Sequence, residues 1–393
     1  MTALVIGPDR HGFSVVIVNG RVSLRVPPDA EFLPCPDGEI APGAVNAHTH
    51  LYSGLAPYGI PPASPRPENF IQILERLWWR LDRALDGPSL AAAATDYIAH
   101  ALLSGTTTLV DHHESPNLIP GSLGILADAC ERLGMRGLLC YGATERNFGR
   151  DEAQQGLDEC RRVAPTALVR PLVGLHAGFT VSDDTIREAG SLARELGTVL
   201  HVHLAEDVAD VEDARRRGHA GPLQRLEALD ALPPGSILAH GVHLLASEVQ
   251  RADRLGCWLV HNPRSNEGNG VGYAANLGAS SRVALGTDGW PADMAAERAA
   301  LERLATQNGD TMAAGRLEAG YRLIAERFAA PPQPLAPRAL GDVVVRENGL
   351  VRHVVVNGRV VVRDGHLTGG DLTVINAHAH RQAGRLWMRM EQL

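Results

Sequence analysis

Short apolar runs recur along the middle of the chain, separated by stretches of helical character: AVNAH (44–48), TTLVD (107–111), GLLCY (137–141), VRPLVGL (169–175), TVLHVH (198–203), SILAH (236–240), CWLVH (257–261) and RVALGTD (282–288). Repeated βα units imply a parallel sheet, and eight such runs predict an α/β fold, a (β/α)8 TIM barrel. The helix after the first strand includes NFIQILERLWWRLDRAL (69–85). Towards both ends the pattern changes to β-rich runs broken by Asn-Gly, at Asn19-Gly20 in FSVVIVNGRVSLRV and at Asn357-Gly358 in HVVVNGRVVVRDG. Asn-Gly suits a type I′ hairpin turn, which needs positive φ twice. These hairpins predict a small β-sandwich domain built from both termini, residues 1–41 and 338–372. The barrel then spans 42–337, with PPQPLAP at its exit, and 373–393 form a terminal helix.

Most of the runs carry a polar or ionisable residue at or just after the C-terminal end: His48, Asp111, His176, His203, His240, His261 and Asp288. In a barrel of this kind those ends form the active-site face. His48-Thr49-His50 places two imidazoles on one side of a strand, within reach of one ion. The motif is weak alone, since Asn376-Ala377-His378-Ala379-His380 echoes it in the expected terminal helix, where such residues face different directions. His378 and His380 are therefore read as surface residues.

In HVHLAED (201–207), His203 ends a strand and Glu206 follows in the loop, a spacing that allows a ligand and a proton-carrying carboxylate beside one bound water. His201 reads as a structural neighbour; the alternative for Glu206 is a carboxylate favoured by a helix N-terminus. Asp288 can supply an oxygen ligand and orient the water. His240 can hydrogen-bond that water or a developing oxyanion, or be a satisfied core histidine, and His243 reads as a packing residue. Three His and one Asp with a Glu nearby make a mixed N/O site suited to Zn or Fe with a position left for water. Such a metal brings the water's pKa towards ~7.

Composition narrows the chemistry. The chain has 393 residues, a net charge of −8 and no lysine, so all 37 basic residues are arginine. Schiff-base catalysis and a carboxylated-lysine metal bridge are excluded. Modest acidity gives no footprint for nucleic acid, and no apolar stretch suits a membrane span. The start, Met1-Thr2-Ala3 leading to Gly7-Pro8, has no signal-peptide pattern. Five scattered cysteines without a CxxC pair suit a reducing cytoplasm.

Taken in order, HTH (48–50), HLAE (203–206), AHGVHL (239–244) and GTDG (286–289) resemble the amidohydrolase superfamily, in its cytosine-deaminase-like, guanine and s-triazine aminohydrolase (ATZ/TRZ) branch. ILERLWWRLDRAL, GTTTLVDHHESPN, GLHAGFTVSD and HNPRSNEGNGVGYA are similar to the SsnA-type aminohydrolases. The resemblance is close over about residues 42–300 and implies His48, His50, His203 and Asp288 as ligands of one divalent ion, with zinc expected and Fe or Mn as alternatives. It implies Glu206 as proton shuttle, His240 as the polarising residue and His176 as a substrate contact. Trp78 and Trp79 fall on the segment that roofs the pocket, one to stack on a planar substrate and one to pack. Asn262 and Asn266 shape the loop over the site or serve structure alone.

There are departures from the family pattern. Glu267 stands where relatives carry an apolar or lysine-containing segment; it can pair with a cationic substrate, or be an exposed loop charge. The segment after Asp288 is short, which leaves the last barrel helix open. Asp111-His112-His113 reads as a structural cluster.

The implied activity is hydrolytic deamination of an amidine- or guanidine-like N-heterocycle by hydroxide generated at the metal, with Glu206, His240 and Asp288 as the catalytic set. The alternatives are hydrolysis of a cyclic amide, imine or C–halogen bond, and a non-catalytic relative. A cytoplasmic homodimer with a small heterocyclic substrate, and with no nucleic-acid or membrane partner, is expected.

Overall fold

The apolar runs become strands buried between a barrel interior and a coat of helices. The computed structural model describes residues 2–393. Its central sheet comprises β1 (Ala44–Thr49), β2 (Thr106–His113), β3 (Arg136–Ala143), β4 (Val173–Ala177), β5 (Leu200–Leu204), β6 (Ile237–His240), β7 (Trp258–His261) and β8 (Val283–Leu285). These eight follow one another in chain order, and every pairing between them is parallel. Every residue of β2 and β3 is buried, as expected for strands covered on both faces. The sheet closes on itself just past β8, where the Thr287 and Asp288 N–H groups donate to the His48 carbonyl at 3.0 and 2.9 Å. The result is a (β/α)8 barrel. The VRPLVGL run divides at Leu172, with Val169–Pro171 pairing alongside β3 before β4 begins.

After β8 the chain supplies two more helices, Met294–Asn308 and Arg316–Arg327. The second lies across β8 and β1, and a Cβ on Gly320 would come within 2.9 Å of Val45, so the small residue permits that approach. The barrel therefore has its last helix despite the short segment.

The helix after β1 runs from Phe70 to Ala84 and contains a wide π turn at Leu74–Trp78. Asn69 starts it, its side chain accepting the Gln72 N–H at 3.0 Å. A π turn inserts an extra residue into the helical repeat, as is common beside functional sites. Here it ends at the first of the paired tryptophans.

Two terminal sheets pack together through Leu4, Ile17, Val343 and Val355. One uses strands between residues 3 and 33; the other pairs Glu39–Pro42 with strands from Val343 to Leu367. Both Asn-Gly turns have the expected positive φ, 49° and 76° at Asn19-Gly20 and 51° and 79° at Asn357-Gly358. The turns also meet, and a Cβ on Gly20 would lie 2.2 Å from Asn357 Oδ1. Arg136, the first residue of β3, joins this layer to the barrel, donating to both carboxylate oxygens of Asp342 at 2.6 and 2.8 Å. The layer thus abuts the N-terminal strand ends and leaves the opposite face clear.

The C-terminal helix, Leu372–Glu391, packs on the helix Gly87–Ser104, and His378 and His380 are exposed on it. Among the described residues no helix is long and apolar enough to cross a membrane.

Candidate active site

The C-terminal strand ends bring His48, His50, His203 and Asp288 together, with one ligand atom from each within 4.8 Å of the others. Asp288 Oδ1 lies 2.8 Å from His50 Nε2 and 3.2 Å from His48 Nε2, and the Nε2 atoms of His50 and His203 are 3.3 Å apart. The other ring nitrogens explain this convergence. His50 Nδ1 donates to the His112 carbonyl and His203 Nδ1 to the His176 carbonyl, the latter at 2.6 Å. A carbonyl can only accept, so both rings carry their proton on Nδ1 and turn an Nε2 lone pair to the centre. His48 Nδ1 is 2.9 Å from His201 Nε2, which makes His201 the partner that orients His48.

Lone pairs and a carboxylate facing one point need a cation among them. Burial disfavours charge on His50, yet the hydrogen bond to Asp288 and the charges of Asp288, Glu114 and Asp111 outweigh it and hold this imidazole up to about 9, a proton on Nε2 standing in for that cation. Burial would raise the Asp288 carboxyl, but its bonds with His48 and His50 hold it well below the usual carboxylate range. The donor set fits a single divalent ion such as zinc, with room for a water.

Asp288 and His240 both sit in the left-handed region, at φ 55° and 75°. This is strain of the kind that functional sites retain. Ser265 Oγ donates to Asp288 Oδ2, so Oδ1 remains turned to the cluster. His240 Nδ1 lies 2.9 Å from Asn266 Oδ1, and its Nε2 is buried without a protein partner, 3.6 Å from Glu206 Oε2. Asn262 Nδ2 approaches the same His240 Nδ1 at 3.3 Å. Burial and the nearby Asp288 push the Glu206 carboxyl well above its ordinary value. A carboxyl so placed can carry a proton as well as give one up. The helix cap is its neighbour Asp207, which accepts the Ala209 N–H at 2.9 Å and leaves Glu206 free for the pocket.

Trp78, Trp79 and His176 line the cleft above the cluster, together with Phe70, Phe179 and Asn269. The His176 and Trp79 rings are 6.1 Å apart, and a Cβ on Gly289 would be 3.2 Å from the Trp78 ring. Glu267 is not brought into this cleft. It lies on the short helix Pro263–Gly268, which turns Ser265 and Asn266 inward and Glu267 outward to a two-pronged pair with Arg303 at 3.0 and 2.6 Å. The substrate-contact reading of Glu267 is corrected accordingly. His243 is exposed in the turn after β6 and is not a packing residue.

Asp111 is structural, its Oδ1 accepting the Leu51 N–H at 2.6 Å. The residue that reaches the cleft from β2 is Glu114, which the sequence reading missed. The apolar run TTLVD stops at Asp111, whereas the strand continues to His113. The signal was present in the buried Asp111-His112-His113 phrase, which extends the strand and carries its end to Glu114. Burial would raise the Glu114 carboxyl, but His112 beside it holds it well below the usual range.

A family model described as the amidohydrolase family matches residues 40–324. A 5'-deoxyadenosine deaminase of Methanopyrus kandleri is 26% identical over 374 residues, 84% of this chain and 83% of that protein. An 8-oxoguanine deaminase of Pseudomonas aeruginosa is 29% identical over 273 residues, 64% of this chain and 59% of that protein. The crystal structure of an adenosine deaminase from Xanthomonas campestris with bound zinc shares the fold, with a TM-score of 0.80 at 22% identity and 98% of each chain covered.

Proposed function

This chain belongs to the amidohydrolase family, matched over residues 40–324, and on that premise we propose that it is a metal-dependent hydrolytic deaminase. Its substrate is a planar amidine- or guanidine-like N-heterocycle, from which it releases ammonia. The observation that carries this reading is the convergence of the Nε2 atoms of His48, His50 and His203 on the Asp288 carboxylate, with a protonatable Glu206 beside them. The names of the two sequence relatives, both deaminases of purine-like compounds, support it.

His48, His50, His203 and Asp288 would hold one divalent ion, zinc being the expected one. When bound, such an ion supplies Lewis-acid activation of a water, bringing its pKa towards ~7. Glu206 takes a proton from that water and passes it to the ring nitrogen beside the attacked carbon. As the C–N bond to the exocyclic amine breaks, Glu206 takes the second proton of the former water and passes it to the amine, which leaves as ammonia. His240, fixed by Asn266, faces the oxygen throughout and steadies the charge it develops. The Trp78–Trp79 wall holds the flat ring and excludes bulk water. All five cysteines are free and buried, which supports a reducing, cytoplasmic setting.

An ammonia-release screen of zinc-loaded protein tests the reading, with aminated purines, pyrimidines and triazines set against simple linear amides. Ammonia is expected from at least one heterocycle and from no linear amide. Turnover confined to linear amides would overturn it.

A further inference from the structure

The cleft is acidic beyond what the reaction needs. Its lining includes the five acids Glu114, Glu206, Asp207, Asp210 and Asp288, and no arginine. Arg146 is stacked behind the Trp79 ring at 4.7 Å and bonded to buried Asp82 at 2.7 Å. Glu206 and Asp288 serve the reaction, Asp207 caps a helix, and Asp210 accepts the Ala205 N–H at 2.8 Å. That leaves Glu114.

Glu114 is 2% exposed, and its Oε2 accepts the Tyr52 hydroxyl at 3.2 Å. Its Oε1 is 2.8 Å from His112 Nδ1 but out of hydrogen-bond alignment, and no other donor reaches it. His112 is already fixed by its Nε2, which donates to the Leu175 carbonyl at 3.0 Å, so it does not depend on Glu114 for its position. A Cβ on Gly142 would lie 2.5 Å from Oε1, so the seat for this carboxylate exists only because that residue has no side chain. The charge of His112 keeps this carboxylate ionised, and the carboxylate, which lines the cleft, retains lone pairs that a ligand N–H can fill. A carboxylate oxygen of Glu114 also lies within 4.8 Å of ring nitrogens of His176 and His203, beside the candidate metal ligands.

We propose that Glu114 is the specificity-determining residue of this pocket, accepting the N–H edge of a cationic or donor-rich planar heterocycle and turning anionic ones away. The heterocycle class rests on the deaminase reading above; the choice of charge rests on Glu114 itself. Charge-assisted N–H to carboxylate bonds are about twice as strong as neutral ones, and a dry site enhances both that attraction and the repulsion of an anion.

Calorimetric titration of zinc-loaded protein with three probes of one shape tests this: 2-aminobenzimidazole, 2-methylbenzimidazole and benzimidazole-2-sulfonate. Wild type is expected to bind the amino probe about tenfold or more tightly than the methyl probe, and the sulfonate most weakly. Glu114→Gln should shrink the amino preference to about threefold or less while leaving affinity for the methyl probe within about twofold. Equal affinity of wild type for the amino and methyl probes, or a preference that survives Glu114→Gln, overturns the proposal. The wild-type comparison decides the matter alone if the variant does not fold. A silent ammonia screen with the probe preference intact would remove the deaminase reading only; ammonia release without the preference would remove this proposal only.

Discussion

Glu206 and His203 stand three residues apart at the end of β5, yet their surroundings fit them for different work. His203 turns an Nε2 into the cluster because its Nδ1 is tied to the His176 carbonyl. Glu206 is free of the helix cap and carries a carboxyl raised by burial and by Asp288. Their variants should therefore fail differently. Glu206→Gln is expected to keep fold and metal and lose turnover by at least ~100-fold. His203→Ala should lose metal occupancy itself, as elemental analysis of purified protein would show. Near-normal turnover in Glu206→Gln would contradict the assignment. At this scale the sequence was most informative where one strand sets the geometry. The two imidazoles of His48-Thr49-His50 share a side because strand residues alternate. It was least informative where geometry depends on where an element ends. Glu114 was hidden because β2 outruns its apolar stretch by two residues, and the two readings of Glu267 stayed open because only the outward turn of a short helix to Arg303 decides for the exposed charge.

Among the elements, the seam between β8 and β1 matters most, since it brings Asp288 to His48 and His50. The seam leaves no space at Gly286, where a Cβ would lie 2.6 Å from Asn262 Oδ1 and 2.8 Å from the His48 backbone. Gly286→Ala should push β8 away from β1, costing about 1–3 kcal/mol by overpacking, and reduce metal occupancy with it. Thermal unfolding and elemental analysis on the same sample would check both. Unchanged stability with full occupancy would show that the seam gives more easily than these distances imply. All eight barrel strands were legible as apolar runs, whereas the tight approach at Gly286 was not. It depends on two strands far apart in sequence meeting, and no local pattern encodes that.

Across the whole molecule, the terminal sheets and the candidate site occupy opposite ends of the barrel, so stability and chemistry should separate. Arg136 and Asp342, 1% and 9% exposed, form the buried link between the layers. Asp342→Ala leaves a buried guanidinium unpaired and should cost about 3–5 kcal/mol, read as a lower denaturant midpoint. Activity per folded molecule should be unchanged, because the pair lies at the N-terminal strand ends. A large loss of activity in molecules that remain folded would mean that the two ends are coupled. The hairpins at Asn19-Gly20 and Asn357-Gly358 foretold a β layer built from both termini, because positive φ at those turns is written into the residues. Their docking onto each other and onto Arg136 was not legible, since it rests on single long-range contacts.

In the proposed reaction water replaces an exocyclic amine on a heterocycle at the His48–His50–His203–Asp288 centre. Its most direct test is the mass of the product formed from a turned-over heterocycle in ¹⁸O-labelled water, with ammonia measured in the same reaction. The expected product is an intact ring carrying a single ¹⁸O in place of the lost amine, with ammonia in equal amount and no product after chelation. A ring-opened product that retains every nitrogen, or label incorporation that chelation leaves untouched, would contradict it.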